Sequence, residues 1–200
     1  MASPVMSNSP FAHDRYDVHL KIFSFPRKYA VYDPHANLVA YSKKSAFKLK
    51  EELRIYADEA MTHELLMVKA RNIINFNAIY DITESATGQR VGSLQRKGLK
   101  SLIKDEWIVR DANEQEIGAI AEDSMALALV RRFLTAIIPQ SFHFSVGGQM
   151  VGHVSQNWNF FAPKMAVDFT ADPGKRLDRR IALAAVMQLM IIEGRQKQED

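Results

Sequence analysis

The sequence predicts a mainly β fold in which an antiparallel sheet closes around one buried hydrophobic helix near the C-terminus. Three observations carry this reading. From Ile181 to Ile192, eleven of twelve residues are apolar, Gln188 being the exception. Upstream, short runs rich in strand formers alternate with turn signals along most of the chain. No long linker separates the two parts, so one domain holds both. A helix apolar on every side must be surrounded on every side. A sheet closed on itself supplies that jacket and removes its own exposed edges.

The elements follow in order. Residues 1–17 mix Ser, Pro, Asn and His without the apolar run of a signal peptide, and a flexible leader is expected there. The barrel domain is expected over 18–195, with a charged tail over 196–200. His19–Phe25 is the first strand candidate. Lys28–Tyr32 and Leu38–Ser42 flank the turn Asp33-Pro34-His35-Ala36-Asn37, and Phe47–Ala57 and Glu64–Lys69 come next. Tyr80-Asp81 leads through Thr83 and Gly88 into Arg90-Val91-Gly92. Trp107–Val109 turns at Asp111-Ala112-Asn113 into Glu116–Ile120. A helix is expected over Ser124–Ile137, capped by Asp123 or Ser124 and stopped by Pro139. Phe142, Phe144 and Val146 alternate with Ser141, His143 and Ser145 before Gly147-Gly148, a strong hairpin signal, and Met150, Val151 and Val154 follow. Met165–Phe169 is the last strand candidate. The turns are unevenly spaced, which argues against a repeat architecture.

The final apolar run would rise about 18 Å as a helix, well short of the ~30 Å of a bilayer core. It therefore reads as a helix buried in protein, with no transmembrane segment in the chain. Ile181, Leu183, Val186, Met187, Leu189, Met190 and Ile191 are its expected core residues, Asp178 its N-cap and Gly194 its close.

The chemistry is sparser. Cysteine is absent, which excludes disulfides, zinc–thiolate sites and a thiol nucleophile. A net charge of +3 is too small to argue for nucleic acid unless it is clustered. His63-Glu64 opens like a zinc-protease motif, but Met67 stands where the second His is required. His143 and His153 can approach across the Gly147-Gly148 hairpin without a clear third ligand. Asp168 to Gly174 resembles the start of a calcium loop, yet Pro173 and Arg179 replace its Gly and Glu, so a capping turn fits better. Asp105 and Glu106 are adjacent and on a strand would face opposite ways. Nucleotide-binding glycine motifs and the nucleophile elbow are missing. No catalytic residue, metal or cofactor is expected, and the protein reads as non-enzymatic.

The positive signal is basic. From Gln89 to Lys104 stand Arg90, Arg96, Lys97, Lys100 and Lys104 with no acid until Asp105, and Gly92 and Gly98 allow close backbone approach. Such a group can grip phosphate oxygens. It can equally be a solvated strand–turn–strand paired with Asp105, Glu106, Glu122 and Asp123. Arg131-Arg132 can add to the patch or pair with the Glu122-Asp123 corner.

Several segments, taken in order, resemble the LURP-one-related family. They are Ile79-Tyr80-Asp81-Ile82-Thr83, Gly88 to Ser93, Arg96 to Ser101, Asp105-Glu106-Trp107, Ile117-Gly118, Glu122-Asp123 and Leu129 to Arg132. The ending, Asp168-Phe169 and Leu177 to Arg180 before the apolar helix, completes the set over roughly 19–195. That family is grouped with tubby-like proteins and phospholipid scramblases. The resemblance implies a closed antiparallel barrel of about twelve strands around a central C-terminal helix. It also implies anionic phospholipid, of phosphoinositide headgroup type, as a ligand class, since tubby proteins bind such headgroups. Tubby's ligand positions have no residue-by-residue match here, so Arg90, Arg96, Lys97, Lys100 and Lys104 rest on local charge alone. The absence of Cys departs from the scramblase acylation segment, and its acidic segment is only partly echoed by Asp168, Asp172 and Asp178. Scramblase activity is not expected. The expectation is a cytoplasmic, peripheral lipid-binding or scaffold protein. The alternatives are a protein-interaction or stress-response module and, ranked lower, a nucleic-acid binder.

Overall fold

The computed structural model describes residues 9–21, 26–44, 52–71, 78–97, 106–123, 141–157 and 163–199. Among them run β1 (Arg15–Lys21), β2 (Arg27–Tyr32), β3 (Leu38–Lys44), β4 (Glu52–Tyr56), β5 (Glu64–Ala70) and β6 (Ile79–Glu84). β7 (Arg90–Arg96), β8 (Glu106–Asp111), β9 (Glu116–Glu122), β10 (Ser141–Val146), β11 (Gln149–Gln156) and β12 (Lys164–Asp168) follow, and then the helix α1 (Arg179–Glu199). Each strand pairs antiparallel with its neighbour in sequence, and β1 pairs with β12 to close a twelve-stranded barrel. The expected helix over Ser124–Ile137 lies outside the described residues.

Alternation sets the two faces of the wall. In β1, Tyr16, Val18 and Leu20 are buried while Arg15, Asp17 and Lys21 are exposed, the period-two pattern of a sheet with one wet side. Inside the barrel, α1 is buried at every residue from Ile181 to Ile191, including Ala184, Ala185 and Gln188. Each large aliphatic side chain so enclosed contributes about 1.5–3 kcal/mol relative to an exposed one. Gly92 and Gly152 mark where the interior presses on the wall. A Cβ on Gly92 would run into the Arg110 carbonyl of the adjacent strand and lie 2.7 Å from Ile181 Cδ1, and one on Gly152 would enter the Phe169 ring.

Two boundaries differ from the sequence reading. β1 begins at Arg15, and Phe11 packs against the core, so residues 11–17 belong with the barrel. Tyr16 is an inward-facing core residue that the polar surroundings of the segment conceal. The helix also continues past Gly194 to Glu199 and takes in most of the 196–200 tail. A Gly inside a helix costs about 1 kcal/mol relative to Ala, and Arg195, Gln196, Lys197, Gln198 and Glu199 are good helix formers that carry it through.

A buried ion pair closes the barrel mouth at the start of α1. Asp172 is fully buried; its carboxylate accepts the backbone N–H groups of Arg176 and Leu177 and a 3.0 Å hydrogen bond from Arg179. The Arg179 guanidinium also donates to the carbonyls of Leu177 and Asp172 and to Asp14, and lies 4.8 Å over the Phe169 ring. Asp178 caps the helix, accepting the N–H of Arg180 at 2.9 Å.

The same loop design recurs at this end of the barrel. Asp33, Asp58, Asp111 and Asp172 each accept the N–H of the residue four positions on through the side-chain carboxylate. Their main-chain carbonyls accept from Ala36, Met61, Glu114 and Lys175, all at positive φ. The five short hairpins here also carry a register shift beside the turn, which coils the strands as closure requires.

Two stability measurements follow. Gly92→Ala should lose about 1–3 kcal/mol through overpacking, whereas Ala36→Gly should gain about 1 kcal/mol by relieving a left-handed non-glycine residue. Urea denaturation giving both the same sign would contradict this account. Asp172 has its pKa lowered: burial raises it, but the N–H of Leu177, Arg179 and Arg176 together outweigh that. Its stabilisation is therefore present above the ordinary carboxylate range and is lost as pH falls through the folded value. Asp172→Asn should cost about 3 kcal/mol at neutral pH, a gap that narrows below about pH 4; an equal gap at both pH values would contradict it.

Candidate functional site

Strand register assembles a basic surface from residues far apart in sequence. On β1, β2 and β3 the inward positions are Val18 and Leu20, Tyr29 and Val31, and Ala40 and Ser42. The residues between them face out. Lys21 pairs with Lys28, and Lys28 with Lys43, so three lysines form one line across three strands. The next register line runs Lys164, His19, Ala30, Tyr41, of which Ala30 and Tyr41 are buried. With strands about 4.8 Å apart, the three lysines begin within about 10 Å of one another along the barrel surface.

The charges are unevenly compensated. Lys21 lies 3.6 Å from Glu59, both side chains being about half exposed. Lys28, Lys43 and Lys164 make no ion pair among the described residues. His19 tilts against the Tyr32 ring at 4.8 Å. Its pKa is held below 6.5, first by burial and then by the Lys164 and Lys21 cations, with Asp17 opposing. Like charges directly opposite across strands destabilise a sheet. The Lys21–Lys28–Lys43 line thus works against the fold that displays it.

The residues singled out from sequence are less well gathered. Arg90 opens β7 and pairs with Asp81 at 3.1 Å and Glu114 at 2.6 Å. Arg71 engages the same two acids, each at 2.6 Å. Arg96 stands at the other end of β7, about 20 Å away at ~3.3 Å per residue, with its guanidinium 6.0 Å from the Trp107 ring centroid. Lys97 pairs with Glu106 at 2.6 Å. Lys100, Lys104, Arg131 and Arg132 lie outside the described residues. The structure separates Arg90 from Arg96 and Lys97, and gives Arg90 and Lys97 acidic partners.

Two other regions of the described surface are concave. A cavity of about 630 Å³ opens at the start of α1. Its rim charges are mutually paired: Arg180 with Asp178 and Glu84, Arg176 with Asp172, and Lys175 Nζ with the Ala12 carbonyl. A cavity of about 380 Å³ brings His153, Ser155 and Asp168 together with Arg15 on the outer wall. Asp168 accepts from Thr170 and Arg15, and no hydrogen bond joins His153 to Ser155 or to Asp168. His143 and His153 are direct cross-strand partners. Among the described residues, no three His, Asp or Glu side chains are placed to hold a metal.

No family model and no curated protein matches the chain. It is similar to an Arabidopsis thaliana protein known from its X-ray structure, with a TM-score of 0.50 and 10% identity over 96% of this chain and 99% of that one. At this identity the similarity concerns the fold alone.

Sequence reading missed the lysine line because its members are separated by turns and meet only through register. The signal available was a basic residue at or near the end of three successive strands, Lys21, Arg27-Lys28 and Lys43-Lys44. If the line is a cost to the fold, Lys28→Glu, which sets an acid between Lys21 and Lys43, should raise stability by about 0.5–1 kcal/mol at low salt. The gain should shrink as salt screens the row. A loss of stability on denaturation would show that the lysines do not repel one another.

Proposed function

We propose that this protein is a non-enzymatic peripheral binder of anionic membrane surfaces, its barrel a rigid carrier for the outward lysine line. The observation that carries this reading is the Lys21–Lys28–Lys43 row, with Lys164 beside it. Three adjacent ammonium groups that repel one another are relieved by an array of phosphates, and a bilayer presents one. Lysine suits this role as a point charge that accepts many phosphate geometries. The exposed large hydrophobic residues among those described are Met61 and Met150. Association on this reading is therefore electrostatic and reversible. No described helix is long and apolar enough to cross a membrane, which agrees with a peripheral mode. Among the described residues, no exposed aromatic side chain stands in the patch to stack a nucleic-acid base. The resemblance to LURP-one-related proteins supports the same ligand class and a cytoplasmic location facing an anionic leaflet.

Vesicle co-sedimentation tests this. The protein should bind phosphatidylserine-containing or phosphoinositide-containing vesicles and not neutral phosphatidylcholine, with affinity falling as salt rises. At about 1 kcal/mol per lysine near a charged surface, Lys21/Lys28/Lys43→Gln should lose about 100-fold. A parallel Lys97/Lys100/Lys104→Glu variant reports on the stretch between Gln89 and Lys104. Equal binding by wild type and the Lys21/Lys28/Lys43 variant overturns the assignment of the row. Binding to duplex DNA or RNA without vesicle binding replaces the membrane reading with a nucleic-acid one. Co-purification of a protein partner without binding to either polyanion replaces it with an interaction module.

A further inference from the structure

We propose, resting on the anionic-surface reading above, that His19 belongs to the same site and couples it to protons, so that the patch binds anionic bilayers more tightly as pH falls. The geometry is specific. His19 faces out between Lys164, its direct partner on β12, and Lys21, two residues on along β1. From β2 it meets the Tyr32 ring, with Ala30 as its register partner. Asp17, two residues back on β1, is the acid facing it, outweighed by the two lysines and by partial burial. No other titratable or charged group that acts on His19 comes from β1, β2 or β12 among the described residues.

In the free protein partial burial, and after it the Lys164 and Lys21 cations, hold the imidazole pKa below its ordinary 6.5. Phosphates docked on Lys21, Lys28 and Lys164 cancel that field and favour the imidazolium. The complex then holds that proton more tightly than the free protein does. Reciprocity of linkage requires the converse: taking up that proton strengthens anion binding. The gain is absent well above the bound-state pKa, grows as pH falls, and is complete below the free-state pKa. The other histidines lie elsewhere in the sequence, and none shares the two lines that hold these lysines.

Phosphatidylglycerol vesicles isolate the effect, because that headgroup keeps its charge across the range. Wild type should bind about five-fold more tightly near pH 5.5 than near pH 8, the worth of one added surface cation. His19→Gln should bind like wild type at pH 8 and lose the gain at pH 5.5. His19→Lys should show the tighter binding at both values. The second readout is the His19 Cε1–H resonance, whose titration midpoint should move up when inositol hexakisphosphate is added. Equal pH dependence in wild type and His19→Gln, or an unmoved midpoint in a protein that binds the probe, overturns the coupling while leaving the anionic-surface reading in place. Absence of wild-type binding at every pH overturns both.

Discussion

Every part of this architecture depends on a helix that has no polar side. Residues Ile181 to Ile191 are buried all the way round, so α1 cannot rest on one face of a sheet as an amphipathic helix does. It requires a wall in every direction. Twelve antiparallel strands closed from β1 to β12 meet that requirement and leave no free sheet edge. The requirement also explains local details of the wall. Gly92 is needed where the Arg110 carbonyl and Ile181 close on the strand, and Gly152 where Phe169 does. Short side chains line part of the helix itself, with Ala182, Ala184 and Ala185 all buried.

A helix inside a barrel leaves its own N-terminal amide groups at the mouth, where they need acceptors. Asp178 supplies one, and Asp172 organises the rest by fixing the preceding loop and holding Arg179. Arg179 in turn reaches Asp14 at the start of β1. The cluster therefore joins the residue before β1, the loop after β12 and the first turn of α1. These are also the segments whose meeting closes the cylinder. A buried charge pair adds little net stability compared with an apolar substitute, but leaving one member unpaired is costly. Here it ties the closing strands of the sheet to the first turn of the helix.

The sequence made legible what is local and what is overwhelming. The apolar run needed only composition to be read as a buried helix, and Gly147-Gly148 only two residues to be read as a turn. The Asp loops were half visible. Asp33 and Asp111 marked turns, but the left-handed residues Ala36, Met61, Glu114 and Lys175 carry no glycine signature. Their conformation is imposed by the Asp carboxylate binding backbone amides further along. Gly194 misled in the opposite direction, since a glycine permits a helix to end without obliging it to.

The candidate site was the least legible because it is a property of register. Lys21, Lys28 and Lys43 each look like an ordinary solvated end of a strand. Five cations between Gln89 and Lys104 look like a patch because they are close in sequence. Along a strand, closeness in sequence means length: β7 carries Arg90 and Arg96 to opposite ends of the barrel, and Arg90 finds Asp81 and Glu114 on the way. Across strands, neighbours come from different hairpins, and there the three lysines meet, with Glu59 beside Lys21. The interior constrains the inward positions of each strand almost completely, while the outward ones are free to vary. A line of like charge on the outer face, which repels itself, is better explained by what it meets than by what it holds together.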